Sequence, residues 1–155
     1  MVFGHLVDVD MRCAHVGFAL DLVRICQFEN MCGNGAGKET LSYVKRWRDE
    51  TQEVSALLRA AGVNEPKKAV LKIMYGGAPP EVGAGQASRG AAEFLKGFVA
   101  DTRFLRWAAA SLRPDSLTFF EQRNDAFTCP MGSNLFYLLS GMEDVALMFL
   151  VVFWP

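Results

Sequence analysis

Little charge of either sign is left over in this chain. Lys and Arg number 16 and Asp and Glu 17 over 155 residues, a formal net charge of −1. A global basic field, the usual electrostatic footprint of a nucleic-acid binder, is therefore excluded. Positive charge is local instead, at Lys45, Arg46 and Arg48 and again at Lys67, Lys68 and Lys72. Cysteine is sparse too. Cys13, Cys26, Cys32 and Cys129 form no C-x-x-C pair, which removes the usual spacing of a structural zinc site. No basic segment followed by a long apolar run opens the chain, so reduced thiols in an intracellular protein, nuclear or cytoplasmic, are expected. The run Val145 to Trp154 carries no charged residue. It is only about half of the ~20 residues that span a bilayer, so no membrane partner is expected.

Two phosphate-loop patterns are also missing. Cys32-Gly-Asn-Gly-Ala-Gly-Lys-Glu-Thr40 is glycine-rich, but Cys32 stands where a Walker A loop needs glycine and Glu39 where it needs Ser or Thr. Lys38 occupies the last glycine position of a dinucleotide fingerprint. The stretch reads as a flexible loop near 31–39.

What is present is an apolar fraction of 51%, enough for a real core in one domain over 1–155. Leu6 to Asp10 alternates apolar and acidic residues, which predicts a strand with Asp8 and Asp10 on one face. An apolar helix follows through Phe18, Ala19, Leu22, Val23 and Cys26. Thr40 to Ala61 reads as one helix, with Leu41, Val44, Trp47, Val54, Leu57, Leu58 and Ala61 on its inner face. Thr40 suits its N-cap and Gly62 its C-cap. Residues 77–90 read as a loop, and Ala91 to Leu112 as a helix whose Phe94, Leu95, Phe98, Val99, Leu105 and Trp107 are core. Ser116 to Phe120 suggests a short strand. Ser133 to Phe149 is another apolar helix, capped by Ser133 or Asn134, with Leu135, Phe136, Leu138, Leu139, Met142, Val145 and Ala146 in its stripe.

The most informative stretch is Lys67-Lys68-Ala69-Val70-Leu71-Lys72-Ile73-Met74-Tyr75-Gly76-Gly77. Ala69, Val70, Ile73 and Met74 make one apolar stripe, and the three lysines lie beside it. Gly76 and Gly77 are the stop signal. Such a helix has two readings. It is a surface helix with solvated lysines, or it holds a polyphosphate and stacks on a base through Tyr75.

Lys67 lies eight residues before Tyr75-Gly76, a spacing that resembles motif B in the fingers of family A DNA polymerases. The run from Val63 to Gly77 is similar to the divergent family A polymerases of transposons, virophages and large DNA viruses. Val7 to Val16 resembles motif A of the same group, with Asp10 and His15 as the matching residues. Gly132 to Leu139 resembles the palm helix that precedes motif C.

The resemblance implies a fold that is mainly α with a small β component (α+β), in a partial palm-and-fingers arrangement. Residues 1–30 and 113–155 would be palm-like and 40–112 fingers-like. It implies magnesium held by Asp10, with Asp10 and Lys67 as catalytic residues. It implies nucleotide contacts from Lys67, Lys68, Lys72, Tyr75, Gly76 and His15. Its partners would be a deoxynucleoside triphosphate and a DNA primer-template, its reaction two-metal nucleotidyl transfer in DNA replication. The chain departs from the pattern at Val63, where an arginine is usual, at Val16, where proline is usual, and after Asp144, where no acid follows. The expected function is a truncated polymerase-like fragment, incomplete or inactive alone. The alternative is a non-enzymatic helical interaction or structural protein, including a decayed gene product.

Overall fold

The computed structural model describes residues 14–25, 41–122 and 129–153. Seven helices occupy them: α1 (Ala14–Ile25), α2 (Ser42–Asp49), α3 (Thr51–Ala60), α4 (Pro66–Met74), α5 (Gln86–Leu112), α6 (Pro114–Gln122) and α7 (Pro130–Phe153). Among the described residues there is no strand. The expected α+β class and its palm-and-fingers arrangement are therefore corrected to an all-helical fold of the described residues. The strand read at Leu6 to Asp10 lies outside them, as does the loop at 31–39.

The second expected strand, Ser116 to Phe120, is the body of α6. Its β-prone Leu-Thr-Phe-Phe run is outvoted by what surrounds it. Pro114 starts the helix at a position that needs no N–H, and Asp115 sits in the first turn, where the helix dipole favours an acid. The Thr118 hydroxyl donates to the Pro114 carbonyl. Phe120 is buried, its ring edge-on to Tyr137 of α7 at 6.1 Å.

The helix read over Thr40 to Ala61 is two helices. Glu50 leaves helical geometry at φ −117°, ψ 34°, and the Thr51 hydroxyl turns back to the Trp47 carbonyl. The inner face survives the break. Leu41, Val44, Trp47, Val54, Leu58 and Ala61 are all buried. The helix after Gly77 begins earlier than read, at Gln86.

α5 is the centre of the molecule. Its 27 residues span about 40 Å, and the other six helices all pack against it or against a helix that does. Ala91, Phe94, Leu95, Phe98, Leu105, Ala108 and Ala109 are its buried stripe. Phe94 stacks on Phe98 at 5.6 Å and meets the rings of Tyr43 and Trp47 at 6.1 and 6.4 Å. Gly97 lets the Tyr43 ring lie directly on the helix, where any Cβ would strike it. Three residues read on apolar stripes face outward: Trp107 is 46% exposed, and Phe136 and Val145 of α7 are 49% and 54% exposed. Asn134, read as a cap, is fully buried within α7, and its side-chain amide has no hydrogen-bond partner among the described residues.

Helix ends are closed in two ways. α3 and α4 both end in a six-to-one turn with glycine at positive φ. Val63 N–H donates to Leu58 O around Gly62 (φ +94°), and Gly77 N–H donates to Lys72 O around Gly76 (φ +93°). α2 instead starts from Leu41 at φ 67°, with no cap from its own sequence. The carboxylate of Asp101, on α5, accepts from the Tyr43 and Val44 N–H groups at 2.8 and 3.1 Å. Burial raises that carboxyl above its ordinary range, against the lowering effect of the two N–H groups and of Lys45.

The raised folded value sets the sign of a pH effect. The unfolded chain releases this proton first, so the contribution is complete below the ordinary Asp pKa of about 3.9 and is lost as pH rises through the folded value. Asp101→Asn keeps an acceptor for both N–H groups and cannot titrate. Urea unfolding from pH 4 to 7 is expected to show the wild type losing stability relative to Asp101→Asn as pH rises. Asp101→Ala, which leaves both N–H groups unmet, is expected to lie about 1–2 kcal/mol below Asp101→Asn at every pH.

Candidate functional site

The end of the lysine helix is the most heavily supported point in the structure. α4 buries Pro66, Val70, Ile73 and Met74. Lys67, Lys68 and Lys72 are exposed, and Tyr75 is half-buried. At 100° per residue, positions 67, 68, 71, 72 and 75 fall on the side opposite the buried stripe. Lys67 and Tyr75 are therefore about 12 Å apart along the axis, on one face. Lys68 pairs with Glu65 at 3.1 Å. Lys67 and Lys72 have no ion pair among the described residues.

Three other helices converge on the Tyr75-Gly76 turn. Arg106 of α5 donates from Nη1 to the Ile73 and Met74 carbonyls at 2.8 and 3.1 Å, closing the negative end of α4 with a cation. At the start of α7, Cys129 carries a free thiol and lies against Gly76, where a Cβ would meet its sulfur. Gly132 lies against the Tyr75 carbonyl, and a Cβ there would collide with it.

The tyrosine ring is then fixed by His15 of α1 and by two residues of α7. His15 Nδ1 and the Tyr75 hydroxyl are hydrogen-bonded. His15 Nε2 bonds Glu143 Oε2 at 2.9 Å. A neutral imidazole protonated on Nε2 satisfies both contacts: Nε2–H donates to the carboxylate, and Nδ1 accepts from the phenol. The Tyr75 phenol is held well above its ordinary pKa, first by burial and then by the Glu143 carboxylate, so it keeps the proton it donates. Phe136 completes the cluster, edge-on to Tyr75 at 5.1 Å and to His15 at 5.9 Å.

The structure thus brings together His15, Tyr75 and Gly76 from the residues predicted on sequence, with Lys67, Lys68 and Lys72 along the helix that leads to them. Asp10 lies outside the described residues, as do Cys13, Cys26 and Cys32. Val63, at the place of the usual arginine, is buried in the turn after α3 and not on α4 at all. Sequence reasoning missed Arg106, Phe136, Glu143 and Gly132 as partners of this turn. Among the described residues no three His, Cys, Asp or Glu side chains converge to hold a metal.

A double-mutant cycle with His15→Ala and Tyr75→Phe, read by urea unfolding, is expected to give a coupling of about 0.5–1.5 kcal/mol, the net worth of one hydrogen bond. Gly132→Ala is expected to cost about 1–3 kcal/mol in the same measurement, because the obstructing atom is backbone and cannot rotate away.

No protein-family model, curated protein or solved structure matches the chain.

Proposed function

We propose that the outer face of α4 receives the triphosphate of a deoxynucleoside triphosphate, supplied as its magnesium complex, with the base against Tyr75. The chain is then a nucleotide-binding part of a DNA polymerase-like protein that needs further carboxylates to catalyse nucleotidyl transfer. DNA primer-template is its remaining partner.

One observation carries this reading. The His15–Tyr75 hydrogen bond joins the two stretches that separately resemble polymerase motifs, although they lie 60 residues apart. Supporting it, the three lysines share a face with that tyrosine, and Lys67 and Lys72 have no ion pair among the described residues to compete with a phosphate. Lysine serves here as a point charge, and several on one short helix suit a polyphosphate better than a single anion. The half-buried, protonated phenol offers a ring edge and a fixed orientation.

A second reading has its own observation. Phe136, Tyr137 and Val145 leave α7 with three large apolar side chains about half exposed. That suits a non-enzymatic helical interaction protein. Among the described residues no helix is long and apolar enough to cross a membrane, so this surface belongs to no such span.

Calorimetry of a deoxynucleoside triphosphate with magnesium separates the two. The first reading expects saturable binding by the wild type, weakened about tenfold or more in Lys67→Ala, the worth of one charge-assisted hydrogen bond at about 1.5–3 kcal/mol. Absence of binding, or equal binding by the variant, favours the interaction protein.

A further inference from the structure

A second basic feature lies on α5, away from the lysines of α4. Arg89, Lys96 and Arg103 are spaced by seven residues and are all exposed. Seven residues are two turns, so the three cations stand in one line, about 10.5 Å apart. None makes an ion pair among the described residues. Arg103 also faces a like charge, since Arg103 and Arg106 repel one another. Between successive cations lie Ala92 and Glu93 and then Val99 and Ala100; the alanines and Glu93 are exposed and Val99 is partly buried. Glu93 beside the line and Glu81 on the neighbouring loop are the acids that face it, each exposed.

Alongside runs a groove of about 500 Å³ between α5 and the 79–82 loop. Pro79, Pro80 and Val82 form one wall and Leu95 and Val99 the other, with Lys96 and Arg103 on the rim. An apolar slot with cations at its edge is complementary to a flat ring that carries a phosphate.

We infer that this face of α5 binds a single-stranded nucleic acid, with backbone phosphates on Arg89, Lys96 and Arg103 and a base in the groove. A single strand fits better than a duplex because the groove offers a wall to a base face, and a paired, stacked base has none free. A linear polyanion fits better than a membrane surface because the exposed positions between the cations, Ala92, Glu93 and Ala100, carry no large apolar side chain, and Val99 lines the groove. A membrane-binding helix would place large aliphatic or aromatic residues there. The inference goes beyond the nucleotide reading of α4 and stands on different residues, so either can fail while the other stands.

The test is fluorescence anisotropy of a labelled 12-residue oligo-deoxythymidylate over a salt series. Three phosphate contacts on a single strand predict a slope of log K against log salt of about −2. Lys96→Ala/Arg103→Ala is expected to weaken binding at least tenfold at low salt and to bring the slope to about −0.7. Both side chains are exposed, and circular dichroism checks that the variant keeps its helices. Lys45→Ala/Arg59→Ala removes equal charge elsewhere and is expected to leave affinity and slope unchanged. The inference is overturned by a wild type that does not bind. Equal loss in both double variants overturns it too, as does binding of phosphatidylserine vesicles in place of the oligonucleotide.

Discussion

Two charged side chains of one helix hold the ends of two others, and the rest of the structure is arranged around that fact. Asp101 and Arg106 lie little more than one turn apart on α5. The carboxylate takes the first free N–H groups of α2, and the guanidinium takes the last carbonyls of α4. Each charge meets the helix end of opposite partial charge. The apolar stripe of α5 supplies the bulk of the burial, but burial alone tolerates sliding and rotation. The two polar clamps set where α2 begins and where α4 stops, and so they fix the Tyr75 turn.

That division explains what was legible in the sequence. The helices and their inner faces were, because an apolar stripe repeats locally: Val44, Trp47, Val54 and Leu58 stand where the spacing puts them. The glycine stops at Gly62 and Gly76 were legible for the same reason, since a left-handed C-cap is chosen by the residue that occupies it. The start of α2 was not. Leu41 is a poor cap by type, and its helix is capped from a residue some 60 positions away. The false strand at Ser116 to Phe120 is the converse case, in which β-prone side chains were outweighed by a proline start and by burial against α7. Trp107 and Val145 show that an apolar position on a helix of the right period is not thereby inside.

Of the candidate site, half was visible. The lysines and Tyr75 were picked out by type and spacing and His15 by the motif resemblance, with no means of knowing that His15 and Tyr75 touch. The chain Tyr75–His15–Glu143 depends on three segments being packed in one order, which no local pattern encodes. Arg106 and Gly132 were invisible for a different reason. An arginine within a long amphipathic helix looks like solvated charge. A glycine near a helix start looks like a cap, until the carbonyl pressed against it is seen. The wall of the site is made by Phe136, which sequence periodicity assigned to the core and which stands half exposed instead.

The same arrangement bears on the order in which the chain assembles. The His15–Tyr75 contact spans 60 residues and the His15–Glu143 contact spans 128. Closing loops of that length costs entropy before either bond returns anything. The helices themselves need no such closure, so they are free to form first. Tyr75 reaches its final orientation only when α1 and α7 have met across it. The geometry of the lysine face is therefore completed by contacts between residues far apart in sequence. A fold that has lost those contacts alone keeps its helices and loses its site.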